Sequence, residues 1–351
     1  MCVRIDKKVM YRIYIILLGF VLVSGCKSSN TPDVSHIAVD VKLIRTEGNL
    51  AEMDSKEKLE TQIQSHKAFY KLYLKEILPL YKGENMDSLF ADFRGFVQDS
   101  IVDDLRKKVV KNYANLDDIK RQADQMYRYL LYYFPERTSI PNLYTFISDF
   151  GYQIFIFEDD DKKDGIGIGL DMFMSPEVDY KAIDPDNTNF SDYITRSWNK
   201  DHIVKKIADL HVQDIVGETP GHRMLDQMIH NGKALYITEL LLPAVHDSII
   251  HEYSAAQLNW CMENELQMWS FFFDRKLFYE SNPSKIAKYI YPSPTSPDMP
   301  SGAPGRTANY VGWKIIKAFM DRYPETTLQA LINMKDSQEI MDKSKYKPQR
   351  K

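Results

Sequence analysis

His251-Glu252 is the one place in the chain where a histidine directly precedes a glutamate, the start of a helical zinc-hydrolase motif. That motif needs a second histidine four residues after the first, so that both imidazoles meet the metal from one helical face. Position 255 is alanine, and the pair falls just before Ser254, which with Gln257 forms a capping box. It reads as a surface loop. Asp159, Asp160, Asp161 and Asp164 suggest calcium, but Lys162 and Lys163 intrude and no glutamate closes the loop. A solvated hairpin turn is the plainer reading. Gly165, Gly167 and Gly169 alternate with Ile166 and Ile168, as on the thin face of a strand; a phosphate cradle would place its glycines at the mouth of a helix. His202, His211, His222 and His230 fall within thirty residues, at spacings that do not share one helical face. They read as satisfied or surface histidines. Cys261 has no histidine at a diagnostic spacing and reads as a buried small hydrophobe. Trp260, Met262, Met268, Trp269, Phe272 and Phe273 read as core. No nucleophile, metal or phosphate motif emerges, and no cofactor is implied.

The elements that must carry these residues are mostly helical. Ile37, Val39 and Val41 alternate with polar neighbours and predict a short strand over His36–Arg45. Leu59, Ile63, His66, Phe69, Tyr70, Tyr73 and Ile77 recur at helical spacing and stop before Pro79. Helices are expected over Asp87–Tyr113 and Leu116–Phe134, then strands over Asn142–Ser148, Tyr152–Glu158 and Gly165–Met174. Further helices are expected over Asp192–Val216, Gly221–Leu242, Ser254–Tyr279, Pro283–Tyr289 and Arg306–Tyr323, with a proline-rich loop at Pro292–Pro304. The predicted class is α+β, helix-dominated: a helical region 55–135, a small sheet at 142–174 and a second helical region 190–345.

The first thirty residues form a unit of another kind. Arg4, Lys7, Lys8 and Arg12 precede the apolar run Ile13–Val23, which ends in Val23-Ser24-Gly25-Cys26. Eleven helical residues cover about 16 Å, roughly half of a hydrocarbon core. The pattern is that of a signal peptide (1–25) cleaved before Cys26, whose thiol would carry lipid. A polar tether (26–35) and a single domain (36–351) follow. The membrane is thus an expected partner through the anchor at Cys26. No acidic cluster follows the cysteine, which favours a periplasm-facing body. Without residues 1–25 the net charge is −7, which argues against nucleic acid as a partner. Only Cys261 then remains beside Cys26, so no disulfide is expected within the body. With 44% hydrophobic residues, 22 Tyr and 17 Phe, packing must supply the stability.

Several stretches together resemble the GldB-type gliding motility lipoproteins of the Bacteroidetes. They are Ile166-Gly167-Ile168-Gly169-Leu170-Asp171, Met228-Ile229-His230-Asn231-Gly232-Lys233-Ala234-Leu235-Tyr236, Leu240-Leu241-Leu242-Pro243 and Gln257-Leu258-Asn259-Trp260. Tyr289-Ile290-Tyr291-Pro292, Pro304-Gly305-Arg306, Val311-Gly312-Trp313-Lys314-Ile315-Ile316 and the tail Lys343-Ser344-Lys345-Tyr346-Lys347-Pro348 complete the set. The resemblance implies a cell-envelope lipoprotein associated with gliding machinery, a family also found in species that do not glide. A more distant likeness is to gluzincin-type zinc peptidases, and it implies a degenerate zincin-like architecture. In that alignment Asp209, Leu210 and Gln213 stand where a catalytic helix carries His, Glu and His, and Asn231 replaces a downstream glutamate ligand. Such replacements remove both metal binding and the general base.

The resulting expectation is a non-catalytic envelope lipoprotein that binds other envelope proteins. The alternatives are a divergent zinc metallopeptidase using His202, His211, Asp209 or His230, and a glycan- or ligand-binding lipoprotein. Asp171, Gly232, Arg306 and Trp313 are singled out as structural or binding residues. Each also has a plain role: Gly232 at a close helix approach, Arg306 as polar cover at a helix start, Trp313 in the core.

Overall fold

In the computed structural model, which describes residues 31–81 and 85–348, β1 (Leu43–Arg45), β2 (Asn142–Phe146), β3 (Ile154–Glu158) and β4 (Asp164–Gly169) form one sheet. Its order is β1-β2-β4-β3, with β1, β2 and β4 parallel and β3 antiparallel to β4. Cys26 and the whole signal segment lie outside the described residues. Ile166 and Ile168 point into the core at 0% exposure, while Gly165 and Gly167 face Phe157 and Phe155 across the β3–β4 register. A Cβ on either glycine would collide with the opposing ring, so the thin face exists to admit these aromatics.

Helices make up most of the rest, and the longer ones are numbered in chain order. The N-terminal group is α1 (Lys56–Ser65), α2 (Lys67–Leu72, continued by a π-helical turn at Tyr73–Ile77), α3 (Met86–Gln98), α4 (Ser100–Asn112) and α5 (Asp117–Tyr133). After the sheet come α6 (Ile203–Val216), α7 (Met224–Leu241), α8 (Asp247–His251), α9 (Ala255–Glu263), α10 (Glu265–Asp274) and α11 (Pro283–Ile290). The chain closes with α12 (Thr307–Arg322), α13 (Leu328–Asn333) and α14 (Ser337–Ser344). On α5, Ile119, Ala123, Met126, Tyr127 and Leu130 are buried, the stripe that helical spacing predicts. The class is the expected helix-dominated α+β, and Val34–Lys351 forms one compact unit.

Six expected elements differ: the run read through His66 breaks at that residue, the helix expected over Asp192–Val216 divides into Asp192–Thr195 and α6, and four others change for a plain local reason. Only Leu43–Arg45 of the first strand pairs. Upstream, Val41 N–H donates to Asp124 and the Ile37 carbonyl accepts from Arg128, so this backbone bonds to side chains of α5. The helix expected over Asp87–Tyr113 breaks at Asp99, whose extended backbone lets its carboxylate cap α4 through Ile101 and Val102 N–H. Asn264 likewise divides the expected Ser254–Tyr279 helix, and its amide donates to the Trp260 carbonyl. The last strand stops at Gly169 and turns into a 3-10 helix, Leu170–Phe173. There Asp171, fully buried, accepts from Ser148 N–H, Ser148 Oγ and Phe150 N–H, tying the loop after β2 to the end of β4. Met262 and Phe273, expected in the core, are 43% and 67% exposed, because the broken helix no longer carries one continuous inward stripe.

Two apolar clusters share α7. Ile237 and Leu241 belong to the one around the sheet, Met224, Leu225, Met228 and Ile229 to the one among the C-terminal helices. Between them Gly232 crosses Gly312 of α12. A Cβ built on Gly232 would strike the Gly312 carbonyl group, and one on Gly312 the Met228 carbonyl. Backbone, which cannot rotate away, is the obstacle on both sides. Gly232→Ala should therefore destabilise the fold by roughly 2–4 kcal/mol through overpacking. Gly95→Ala on α3, where nothing lies within 4 Å of the new Cβ, should gain up to about 1 kcal/mol from helix propensity. Urea unfolding of both variants checks this opposition of sign.

Candidate functional site

On α6 the apolar face is interrupted by charge. Ile203, Val204, Ile207, Ala208, His211 and Val212 are buried, and so is Lys205, at 6% exposure. Lys205 and Asp209 lie one helical turn apart and pair at 2.6 Å. A buried ammonium must be paired, and Lys205 has a second anion in Glu252, 2.9 Å from its Nζ. Glu252 also meets Lys206 at 2.5 Å, and its other oxygen meets Arg306 Nη1 at 2.9 Å. Its backbone carbonyl accepts from Arg306 Nη2 at 3.3 Å. One carboxylate thus holds three cations.

This arrangement overturns the surface-loop reading of His251-Glu252. His251 ends α8 and is 4% exposed; Glu252 follows in the left-handed region and is 8% exposed. Tyr253 N–H bonds back to the Ser248 carbonyl, folding the turn inward ahead of the Ser254 cap. The cations that make burial tolerable come from positions 46 to 54 residues away in sequence, which local spacing cannot reveal. Arg306 also departs from its plain role. It sits in the left-handed region just before α12, and its guanidinium reaches Glu252 without covering the helix start.

Beside the cage lies a cavity of about 200 Å³ lined by Lys205, Asp209 and Gln213 of α6, Asn231 of α7, His251, Tyr253, Arg306 and Asn309. The three positions expected to be degenerate metal ligands, Asp209, Gln213 and Asn231, therefore do meet on one cavity wall, joined by Arg306. Asn231 donates to Asn309 at 3.0 Å, and Asn309 donates to the Ile290 carbonyl. Gly232 is adjacent in sequence but serves the crossing with α12. Trp313 is buried, donates to Glu239 at 2.8 Å and packs edge-on against His251. Asp171 belongs to the sheet end and is not among the residues that line this cavity.

The four clustered histidines do not converge. His211 pairs with Tyr127 Oη at 2.9 Å and His202 with Asn199 at 2.9 Å, while His222 is exposed and His230 half-buried. Among the described residues no group of three or more His, Cys, Asp or Glu side chains is placed to hold a metal ion. Cys261 is fully buried, and burial pushes its thiol up to about 12.

The family described as gliding motility protein GldB matches residues 27–348. The chain belongs to this family. No curated protein and no solved structure matches it. Membership makes the protein a gliding-motility-associated lipoprotein of the cell envelope. No described helix is long and apolar enough to cross a membrane.

In this GldB-family chain the electrostatics follow from burial and pairing. Burial opposes charge on Lys205, but Asp209 and Glu252 overcome it and hold the ammonium above its usual value. Burial would likewise raise the Glu252 carboxyl, yet Lys205, Lys206 and Arg306 hold it well below the usual range. The Glu252 carboxylate next to His251 is turned to its three cations and does not support a charge on the ring. Burial, then Arg306 and Lys205, push it down to about 3, and its Nε2 has no hydrogen-bond partner. Arg196, half-buried, is held below its usual value by burial and by Arg306, and its Nε is also unpartnered. Lys205 and Lys206 beside Asp209 on an apolar helix were the available sequence signal for this cluster, since charge on a buried stripe demands a partner.

Two outcomes follow. Glu252→Gln leaves three cations facing a neutral amide and should cost about 3–5 kcal/mol in urea unfolding. Acid should destabilise the protein early. His202 and His211 sit at about 4 and His251 at about 3 in the fold, against 6.5 for the free side chain. Their stabilising contribution is complete above pH 6.5 and is lost as pH falls through the window down to about 4, each at about 1.4 kcal/mol per pH unit. Asp171, raised by burial to about 6, works the other way below that pH and offsets one histidine. The urea midpoint should fall between pH 7 and 5, and less steeply in His211→Gln. A flat midpoint would contradict neutral burial of these rings.

Proposed function

We propose that this GldB-family lipoprotein is a non-catalytic, lipid-tethered component of a motility or secretion apparatus that binds other envelope proteins, on a scaffold descended from a zinc peptidase. The observation that carries the reading is Lys205. Its ammonium lies between Asp209 and Glu252, 2.6 and 2.9 Å away, on the wall where the ligand-like positions Asp209, Gln213 and Asn231 gather. A fixed positive charge there repels a divalent cation, and the amides of Gln213 and Asn231 are poor substitutes for the imidazole and carboxylate donors that catalytic zinc requires. Phe273 and Tyr279, 67% and 58% exposed, offer apolar contact points of the sort protein interfaces use.

Protein made without chelators should contain far less than one zinc per chain and should not hydrolyse casein. One zinc per chain, lost in Asp209→Asn, would establish a metallopeptidase instead. A photocrosslinking residue at Phe273 should couple to an envelope protein in intact cells, whereas one at the neighbouring buried Phe272 should not. Absence of any adduct at Phe273 and Tyr279 counts against a partner on this face.

A further inference from the structure

We propose that the cavity between α6, α7 and the start of α12 is a binding site for a small carboxylate, a group the size of one amino-acid residue. Charge is the first reason. Lys205, Asp209 and Arg306 line the wall and sum to one positive charge. Neither Lys206 nor Arg196 is among the lining residues; Lys206 pairs with Glu252 and also acts on Asp209, and Arg196, in the field of Arg306, Tyr253 and Glu252, has no ion pair among the described residues. The cluster of Lys205, Lys206, Arg306 and Arg196 against Asp209 and Glu252 therefore carries an excess of two positive charges in a largely desolvated place. Such an excess is costly unless an anion joins it.

Unmet hydrogen bonding is the second reason. His251 lines the cavity at 4% exposure with its Nε2 unpartnered, and Arg196 Nε is unpartnered as well. Buried polar nitrogens without partners are rare in native proteins and mark places where something is missing. Gln213 and Asn231 add side-chain amides that can donate to a carboxylate oxygen. Size sets the third limit. About 200 Å³ holds about six waters at ~30 Å³ each, below the range of drug-sized pockets, which suits a chain terminus or a free small acid. The Asp209 carboxylate on the wall repels a second negative charge, which suits a monoanion over a phosphate dianion.

Isothermal titration of the whole soluble body with N-acetylglycine should give saturable one-to-one binding that weakens with salt, while the neutral N-acetylglycinamide gives none. Acetate separates the sources: much weaker binding than N-acetylglycine supports a peptide chain end, equal binding a free small carboxylate. Arg196→Gln breaks no ion pair, so the unfolding midpoint should hold while affinity drops about five-fold from the lost charge. Gln213→Ala should weaken binding with the fold intact. Absence of saturable heat up to about 20 mM, beyond the millimolar range of weak complexes, overturns the site. So does equal binding of the amide, tighter binding of inorganic phosphate, or an unchanged affinity in Arg196→Gln. Zinc in the purified protein would overturn the proposed function and leave EDTA-insensitive carboxylate binding untouched, so the two fail separately.

Discussion

One buried carboxylate fixes the geometry of the C-terminal half. Glu252 is 8% exposed and must be neutralised where it stands, because an isolated ionised carboxylate away from water is prohibitively unfavourable. Lys205 and Lys206 from α6 and Arg306 from the head of α12 do so. Three segments distant in sequence are thereby brought to one point. Both Glu252 and Arg306 adopt left-handed backbone, at φ 54° and 60°. For a non-glycine residue that conformation costs about 1–2 kcal/mol, and the two charges that meet across the gap are what hold each residue in it.

The same constraint explains which parts of the molecule were legible in its sequence. Elements whose burial follows a simple period, such as the α5 stripe of Ile119, Ala123, Met126, Tyr127 and Leu130, were readable. So was the β3–β4 hairpin, with its glycines opposite phenylalanines. Gly232 was read as a close helix approach, and it lies where α7 crosses Gly312 of α12. What escaped were events decided by a single polar side chain. Asp99 and Asn264 divide helices that periodicity would run straight through, and Asp124 and Arg128 capture a backbone whose alternation resembles a strand.

The site was half legible. Alignment to a catalytic plan brought out Asp209, Gln213 and Asn231, and all three line one cavity. It passed over Lys205, Lys206 and the His251-Glu252 turn, which supply the charge there. Motif spacing describes groups on one helix, whereas this cluster is assembled across three. The histidines teach the converse: His202 and His211 are near in sequence, yet each is taken by a different partner, Asn199 in the adjoining turn and Tyr127 of α5.

The crossing of α7 and α12 has a mechanical consequence. Backbone meets backbone at Gly232 and Gly312, and Asn231 is bonded to Asn309 just beside it, so these two helices behave as one welded jaw. The hollow they border is thus rigid on this side, and its other side, α6 with the turn after α8, is joined to it through the ion pairs of Glu252 with Lys205 and Arg306.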